Sequence, residues 1–176
     1  NSFRPDFVHV QYDDFVELCP YIQYPNAITS HFGYLEQPRK WDYYGPRVAQ
    51  KFANIKPNVF CLSPGIKNVY EKIMEIPSNQ LFVTPNGVNV DEFRVEKEPR
   101  HSQASIYLAK IDYRKRQHMF QSIDSLYYAG NNADPRFDTS KNYLGEWSKE
   151  TLYNNLTHYG NLVLLSDGEA HPLVCL

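Results

Sequence analysis

Short apolar runs alternate with helix-like segments along most of the chain. In the first half, runs rich in β-forming residues predict four strands, at Asp6–Gln11, Ala27–His31, Asn58–Ser63 and Gln80–Val88. Between the last two runs, Ser63 suits an N-cap and Pro64 suits the first helical position. The apolar residues that follow have the spacing of an amphipathic helix; they are Ile66, Val69, Tyr70, Ile73 and Met74. Strand, helix and strand in this order predict a parallel crossover.

A second series of strands follows Arg94–Gln103, a charged, proline-containing stretch that we interpret as a linker. Its strands are predicted at Ala104–Ala109, Ser125–Gly130, Asn142–Trp147 and Asn161–Ser166. Helices are predicted near Lys115–Ile123 and after Ser148. The pattern therefore predicts two tandem α/β units with parallel sheets, at residues 1–95 and 96–176. Ligands of such folds bind at the carboxyl ends of the strands.

Composition and charge narrow the class of protein. Apolar residues make up 42% of the 176 residues, which is enough for a core and argues against disorder. The net charge of −2 gives no field for nucleic acid, so any anion site must be local. Cys19, Cys61 and Cys175 are widely spaced, which indicates reduced thiols in the cytoplasm rather than disulfides or a zinc site. No apolar run approaches the roughly 18 residues of a membrane span.

The stretch "LAKIDYRKRQH" leaves a predicted strand and enters a predicted helix. It carries four cations, Lys110, Arg114, Lys115 and Arg116. A helix N-terminus beside them would favour a bound anion. A solvated basic loop is the alternative interpretation.

Two other strand exits carry candidate chemistry. "TPNGVNVDEF" turns at Asn86 and Gly87, where a left-handed conformation costs little. "SDGEAHPLV" places Glu169 at the start of a predicted helix. A carboxylate there interacts with the helix dipole or accepts hydrogen bonds from sugar hydroxyls. The N–H groups of Ala170 and His171 would then be free for a phosphate.

Together these stretches, in this order, resemble the retaining glycosyltransferases of family 4, which have the GT-B fold. The family's motifs correspond here to "RPDFVHVQ", "AITSHFG", "LSPGIKNVYEK", "PNGVNVDEF", "AKIDYRKRQ", "YLGEWSKETLY" and "SDGEAHPLVCL". The resemblance runs from about Arg4 to Leu176 and covers the middle part of a longer family member. It implies two Rossmann-like units of the GT-B type, each incomplete. Open sheet edges then make homo-oligomerisation an expectation.

The resemblance also implies an activity. The protein would transfer a hexose from a nucleotide diphosphate sugar, with retention, to a glycan, lipid or small-molecule acceptor. Lys110 and Lys115 would hold the diphosphate and stabilise it as it leaves. Glu169 and His31 would be the catalytic residues near the transferred sugar. The other implied binding residues are Ala170, His171, Asn86 and Gly87.

The chain departs from the family pattern at several positions. Lys110 stands where the family usually has arginine, and Ala109 and Arg116 replace glycines beside the two cations. The second glutamate of the family's pair would follow Leu176, so we expect weak or absent turnover.

The resemblance implies catalysis without a metal or cofactor, although Asp134 and Asp138 are alternative metal ligands. The implied location is the cytoplasm, with the periphery of a membrane as the alternative. A catalytically inactive nucleotide- or sugar-binding assembly module is the alternative function. An epimerase or phosphorylase of the same fold is a further alternative. A dinucleotide-dependent oxidoreductase is excluded, since no strand is followed by GxGxxG.

Overall fold

The computed structural model describes residues 3–43, 46–93 and 98–176. The chain forms two compact units, one made of Asn1–Asn86 with Gly168–Pro172 and the other of Gly87–Asp167 with Leu173–Leu176. The predicted domain boundary between residues 95 and 96 lies outside the described residues and stays a prediction. So does the first part of the predicted linker, residues 94–97.

The first unit contains a four-stranded parallel sheet. Its strands are β1 (Val8–Val10), β2 (Asn26–Thr29), β3 (Val59–Cys61) and β4 (Leu81–Val83), in the spatial order β1-β2-β3-β4. Ile28 pairs with Val10 on one side and Val59 on the other, and all three are buried. All four predicted strands of this half exist, with shorter bounds than the sequence suggested.

Helices connect the strands of the first sheet. A nine-residue 3-10 helix, Asp13–Tyr21, joins β1 to β2, and a shorter one spans Pro38–Tyr43. Helix α1 (Pro46–Ile55) precedes β3, and helix α2 (Pro64–Lys72) joins β3 to β4. Helix α2 was predicted from the sequence, and helix α1 was not. Short 3-10 turns follow at Ser78–Gln80 and Val90–Glu92.

Helix α2 begins as its sequence predicts but ends at Lys72, so Ile73 is its C-cap and is 50% exposed. The hydroxyl of Ser63 accepts a hydrogen bond from the N–H of Ile66 at 3.1 Å, and Pro64 is the first helical residue. Ile66, Val69 and Tyr70 are buried and join the core of the first unit. A hydroxyl cap and an apolar stripe therefore act together on this helix.

The second unit contains a three-stranded parallel sheet. Its strands are β5 (His101–Leu108), β6 (Leu126–Ala129) and β7 (Tyr159–Leu162), in the order β6-β5-β7. Helix α3 (Lys149–Asn155) is capped as predicted, because the Ser148 hydroxyl accepts from the N–H of Thr151 at 3.1 Å. Tyr107 and Tyr128 are fully buried in the core of this unit.

Four local predictions are wrong. His101–Gln103 belong to β5 and not to a linker. Asn142–Trp147 is not a strand, and only Tyr143 forms an isolated bridge, to Tyr128. The helix predicted at Lys115–Ile123 is replaced by one 3-10 turn, Gln117–Phe120. The segment at Asn86 and Gly87 is irregular, and neither residue has a positive φ.

The α-helices are short. They contain ten, nine and seven residues, for α1, α2 and α3 respectively. Over residues 3–43, 46–93 and 98–176, no helix has the length and apolar character needed to cross a membrane.

Candidate functional site

Lys110 and Lys115 lie in one loop at the carboxyl end of β5, in the second unit. Lys110 comes two residues after the strand ends, and its side chain is exposed. It forms no ion pair with any residue that the structure describes. Lys115 is half-buried within the turn that precedes the 3-10 turn Gln117–Phe120. The structure therefore brings these two predicted residues together at the edge of a parallel sheet, where such folds bind ligands.

Three side chains of the second unit fix the backbone of this loop by hydrogen bonds. The hydroxyl of Tyr107 donates to the carbonyl of Lys115 at 2.8 Å. The carboxylate of Asp112 accepts from the N–H of Lys115 at 2.9 Å. Gln117, which is fully buried, donates to the carbonyl of Lys110 at 3.0 Å. The main chain that carries both lysines is therefore positioned by the core of the second unit.

Arg116 explains why no helix follows the loop. Its backbone is left-handed, with φ 60° and ψ 18°, which ends the turn after Lys115. Its guanidinium Nε donates to the carbonyl of Leu165 at 2.7 Å, and its Nη1 lies 4.0 Å from the carboxylate of Asp167. The N–H of Asp167 donates to the carbonyl of Arg114 at 2.9 Å. Arg116 thus ties the loop to the segment after β7, and within residues 110–120 no α-helix begins that could offer its N-terminus to an anion.

A groove of about 280 Å³ lies beside Lys110, at the carboxyl ends of β5 and β6. Its polar and aromatic lining comes from Lys110, Asn131, Glu146 and Trp147. The amide of Asn131 donates to the carboxylate of Glu146 at 3.3 Å. Lys110 was a predicted binding residue, whereas Asn131, Glu146 and Trp147 were not. Glu146 and Trp147 fell within a predicted strand.

Two glycines shape this groove. Gly130 has φ 145°, and a Cβ there would overlap the carbonyl oxygen of Ala109. Its N–H donates to the carbonyl of Gly145 at 2.9 Å, and its carbonyl accepts from the hydroxyl of Tyr143 at 2.9 Å. Gly145 has φ 81°. The glycine of "YLGEW" was the available sequence signal, since a positive φ favours a turn over a strand.

The remaining predicted residues, apart from Gly87, lie in the first unit. His31 is exposed and follows β2 by two residues. The segment Gly168–Pro172 belongs to this unit, where Gly168 packs against the ring of Tyr34 so closely that a Cβ would overlap it. Ala170 contacts the core of the first unit.

Asn86 and His171 are also brought together. The amide of Asn86 donates to the carbonyl of His171 at 2.9 Å, although 85 residues separate them. Glu169 is half-buried and does not begin a helix, because only a 3-10 turn, Leu173–Cys175, follows it. The helix prediction here is wrong, and the roles assigned to these residues stay predictions.

Asp134 and Asp138, the alternative metal ligands, are both engaged in local interactions. Asp134 is buried and accepts two hydrogen bonds of 2.8 Å from the guanidinium of Arg136, while His118 lies 3.2 Å away. Hydrogen bonds from Arg136 lower the pKa of Asp134 to about 2. Ser140 donates to Asp138, which lowers the pKa of that carboxyl. Among the residues described, no cluster of three His, Cys, Asp or Glu side chains could hold a metal ion.

The sequence matches no family model, and it matches no curated protein. Solved structures share its fold. The Anabaena protein Alr3699/HepE, in complex with UDP and glucose, is similar with a TM-score of 0.69 and 10% identity, over 94% of this chain and 54% of its own. TarM is similar with a TM-score of 0.64 and 11% identity, over 95% of this chain and 37% of its own.

These two neighbours are GT-B glycosyltransferases. The predicted fold class, α/β with two parallel sheets of the GT-B type, is therefore confirmed. The chain spans about half of HepE, 54%, and a smaller share of TarM, 37%. At such identities the likeness concerns the fold.

Proposed function

We propose that this chain is part of a glycosyltransferase that transfers a sugar from a nucleotide diphosphate sugar to an acceptor, with retention of configuration. The observation that carries the proposal is the exposed cation Lys110 beside a groove at the carboxyl edge of a parallel sheet. The similarity of the fold to HepE, whose structure contains UDP and glucose, supports it.

The groove suits the nucleoside part of such a donor. Trp147 provides an aromatic ring for stacking, and Asn131 and Glu146 provide polar groups for a base or ribose. Lys110 lies at the same groove, so a phosphate attached to the nucleoside would meet a positive charge. Because no helix dipole is available here, the side-chain cations must provide the attraction.

The proposed chemistry depends on the leaving group. The bond between the anomeric carbon and the phosphate oxygen breaks, and its electron pair stays on that oxygen. The acceptor hydroxyl oxygen forms the new bond to the anomeric carbon, and its proton passes to the released diphosphate. Negative charge therefore grows on the diphosphate in the transition state. Lys110 and Lys115 would stabilise this charge more strongly than the charge of the bound donor, which lowers the barrier. Their main chain is already positioned by Tyr107 and Gln117.

The residues of the first unit keep their proposed roles toward the sugar. Glu169 would accept hydrogen bonds from sugar hydroxyls, and the N–H groups of Ala170 and His171 would bind sugar or phosphate. His31 would line the site near the transferred sugar. Asn86 positions this segment through its hydrogen bond to His171. Gly87, exposed in the second unit, would shape the adjoining chain.

The test is a calorimetric titration of the whole chain with UDP, GDP and ADP and with their glucose, mannose and N-acetylglucosamine derivatives. We expect one nucleotide series to bind with a dissociation constant between micromolar and millimolar. Lys110→Met should weaken binding by about tenfold or more, since a charge-assisted contact contributes roughly 1.5–3 kcal/mol. Lys110→Arg should retain most of the affinity.

Lys141→Met is the matched control, because it removes one lysine charge from the second unit at a residue that does not line the groove. It should leave nucleotide affinity unchanged. A folded chain that binds none of these nucleotides, or a Lys110→Met variant that binds as the parent does, would contradict the proposal. Binding without any sugar transfer would favour the alternative of an inactive nucleotide-binding module.

We also propose that the reaction needs no divalent metal, because Lys110 and Lys115 supply positive charge at the diphosphate. Adding a chelator should then leave both nucleotide affinity and transfer unchanged. A strict requirement for magnesium or manganese would contradict this part. Once a donor is identified, proton NMR of the product will show whether the anomeric configuration is retained.

A further inference from the structure

The 3-10 helix Asp13–Tyr21 carries a row of exposed apolar side chains. Three residues make one turn of such a helix, so every third side chain lies on the same face. We call the row of Tyr12, Phe15, Leu18 and Tyr21 the aromatic row; the exposed fractions of these side chains are 55%, 53%, 52% and 82%. A second face is buried and consists of Asp13, Val16 and Cys19. The third face is exposed and consists of Asp14, Glu17 and Pro20.

The aromatic row is an ordered surface and not a set of scattered apolar residues. Runs of 3-10 helix beyond three or four residues are uncommon, and this one has nine. Its buried face, including Val16, belongs to the core of the first unit. Lys51 of α1 forms an ion pair with Glu17 at 3.1 Å, which holds the helix in position. The rings of Tyr12 and Phe15 contact each other edge to face, with centroids 5.6 Å apart. Aligned exposed apolar groups of this kind mark interaction sites.

The charges next to the aromatic row indicate which class of ligand it can bind. Asp14 and Glu17 lie on the adjoining exposed face. Glu17 is paired with Lys51 and Asp14 is negative, so this face has no net positive charge to attract nucleic acid or anionic lipid surfaces. A neutral carbohydrate suits both faces, since the C–H face of a sugar ring stacks on an aromatic ring and its hydroxyls donate to carboxylates. Tyr and Phe offer such apolar surfaces with little loss of side-chain freedom.

The position of the row adds a second argument. Tyr12 comes two residues after the carboxyl end of β1, which is the edge where parallel sheets bind ligands. From there the helix extends for about 18 Å, at 2 Å for each of its nine residues. This length accommodates several sugar residues in line.

We propose that the aromatic row binds an extended neutral glycan, whose end reaches the carboxyl edge of the first sheet. This inference rests on the proposed glycosyltransferase function, because it identifies the acceptor as an oligosaccharide or polysaccharide. The remainder of the glycan chain lies along Tyr12, Phe15, Leu18 and Tyr21.

The probes are maltohexaose, cellohexaose, chitohexaose and xylohexaose, each compared with its disaccharide by titration against the whole chain. We expect at least one hexasaccharide to bind about tenfold or more tightly than its disaccharide, since several rings are contacted. The double variant Tyr12→Ser/Phe15→Ser should weaken that binding by about tenfold. Phe3→Ser is the control, because Phe3 is 88% exposed and lies outside the row.

Several results would overturn the inference. They are the absence of binding to all four hexasaccharides, equal affinity for long and short sugars, and unchanged affinity in the double variant. Self-association of the parent chain that the double variant abolishes would instead assign the row to a second copy. Titrations of the same variants with UDP, GDP and ADP separate the two proposals. Nucleotide binding without glycan binding would contradict only the proposal for the aromatic row. Glycan binding without nucleotide binding would contradict only the proposal for the donor site.

Discussion

The two strand exits after β3 and β5 begin alike and end differently. After β3, the hydroxyl of Ser63 accepts from the N–H of Ile66 at 3.1 Å. After β5, the carboxylate of Asp112 accepts from the N–H of Lys115 at 2.9 Å. Both contacts join a side chain to the N–H three residues later, as an N-cap does. Only the first continues into an α-helix, α2, of nine residues.

The difference arises after the first turn. In α2, Ile66, Val69 and Tyr70 follow the cap and are buried against the sheet, so each further turn adds apolar burial. After β5, Arg116 is held in a left-handed conformation by its contacts with the segment after β7. A cap therefore starts a turn, and tertiary contacts decide whether it continues.

This difference determines what each segment can do. The segment after β3 forms a helix that packs in the core of the first unit. The exit after β5 remains a loop, whose lysines are presented by hydrogen bonds from Tyr107 and Gln117. Predictions about these two exits test whether burial stabilises one and polar contacts stabilise the other.

The largest expected effect is on α2. Ile66→Ala removes a fully buried side chain and should lower the free energy of unfolding by about 2–5 kcal/mol. Met119→Ala, in the 3-10 turn after β5, should change it by less than about 0.5 kcal/mol, because Met119 is 60% exposed. Urea denaturation measures both. Equal losses would show that the turn is packed as the helix is.

The next largest expected effect is a pH-dependent loss of stability in the second unit. Arg136→Met removes the hydrogen bonds that lower the pKa of Asp134 to about 2. At neutral pH the variant should be less stable than the parent, because the carboxylate of Asp134 then stays buried without the guanidinium that pairs with it.

The sign follows from the lowered pKa of Asp134. This stabilisation is present above the ordinary aspartate pKa of 3.8 and disappears as the pH falls through about 2. Thermal unfolding of the parent and of Arg136→Met from pH 7 to pH 2 should therefore converge at the acid end. A gap that stays constant over this range would contradict the assignment.

The two caps should have similar effects on stability and different effects on binding. Ser63→Ala and Asp112→Ala each remove one side-chain acceptor and should each cost about 1 kcal/mol. Only Asp112→Ala should also weaken nucleotide binding, because Asp112 holds the N–H of Lys115. Chemical denaturation and UDP titration on the same samples provide both measurements. A nucleotide defect in Ser63→Ala would argue against this division.

The smallest expected change in stability comes from the backbone conformation of Arg116. Arg116→Ala and Arg116→Gly both lose the side-chain hydrogen bond to Leu165, and both retain the bond from the N–H of Asp167 to the carbonyl of Arg114, which also ties the loop to the segment after β7. A left-handed backbone is strained for alanine and relaxed for glycine. The glycine variant should be more stable than the alanine variant by about 1 kcal/mol. Denaturation of the two variants measures this difference, and equal stabilities would show that the left-handed conformation costs little here.

The parts of the fold that were predictable have strong local signals. The first four strands and α2 follow from alternating apolar runs, from Ser63 and from Pro64. Helix α1 was missed although it forms ten residues of the first unit. The groove beside Lys110 was also missed, because Glu146 and Trp147 were predicted as strand residues. Gly145 has a positive φ, and the segment around it is irregular.

The sequence by itself determined where most strands run, how α2 is capped, and that two lysines follow β5. These features depend on neighbours in the chain, through backbone preferences, caps and the period of apolar residues. Tertiary structure alone decided that the turn after β5 ends at Arg116, and that the segment Gly168–Pro172 lies with the first unit, where Asn86 contacts His171. Both outcomes depend on hydrogen bonds between residues 49 and 85 positions apart, which local patterns do not encode.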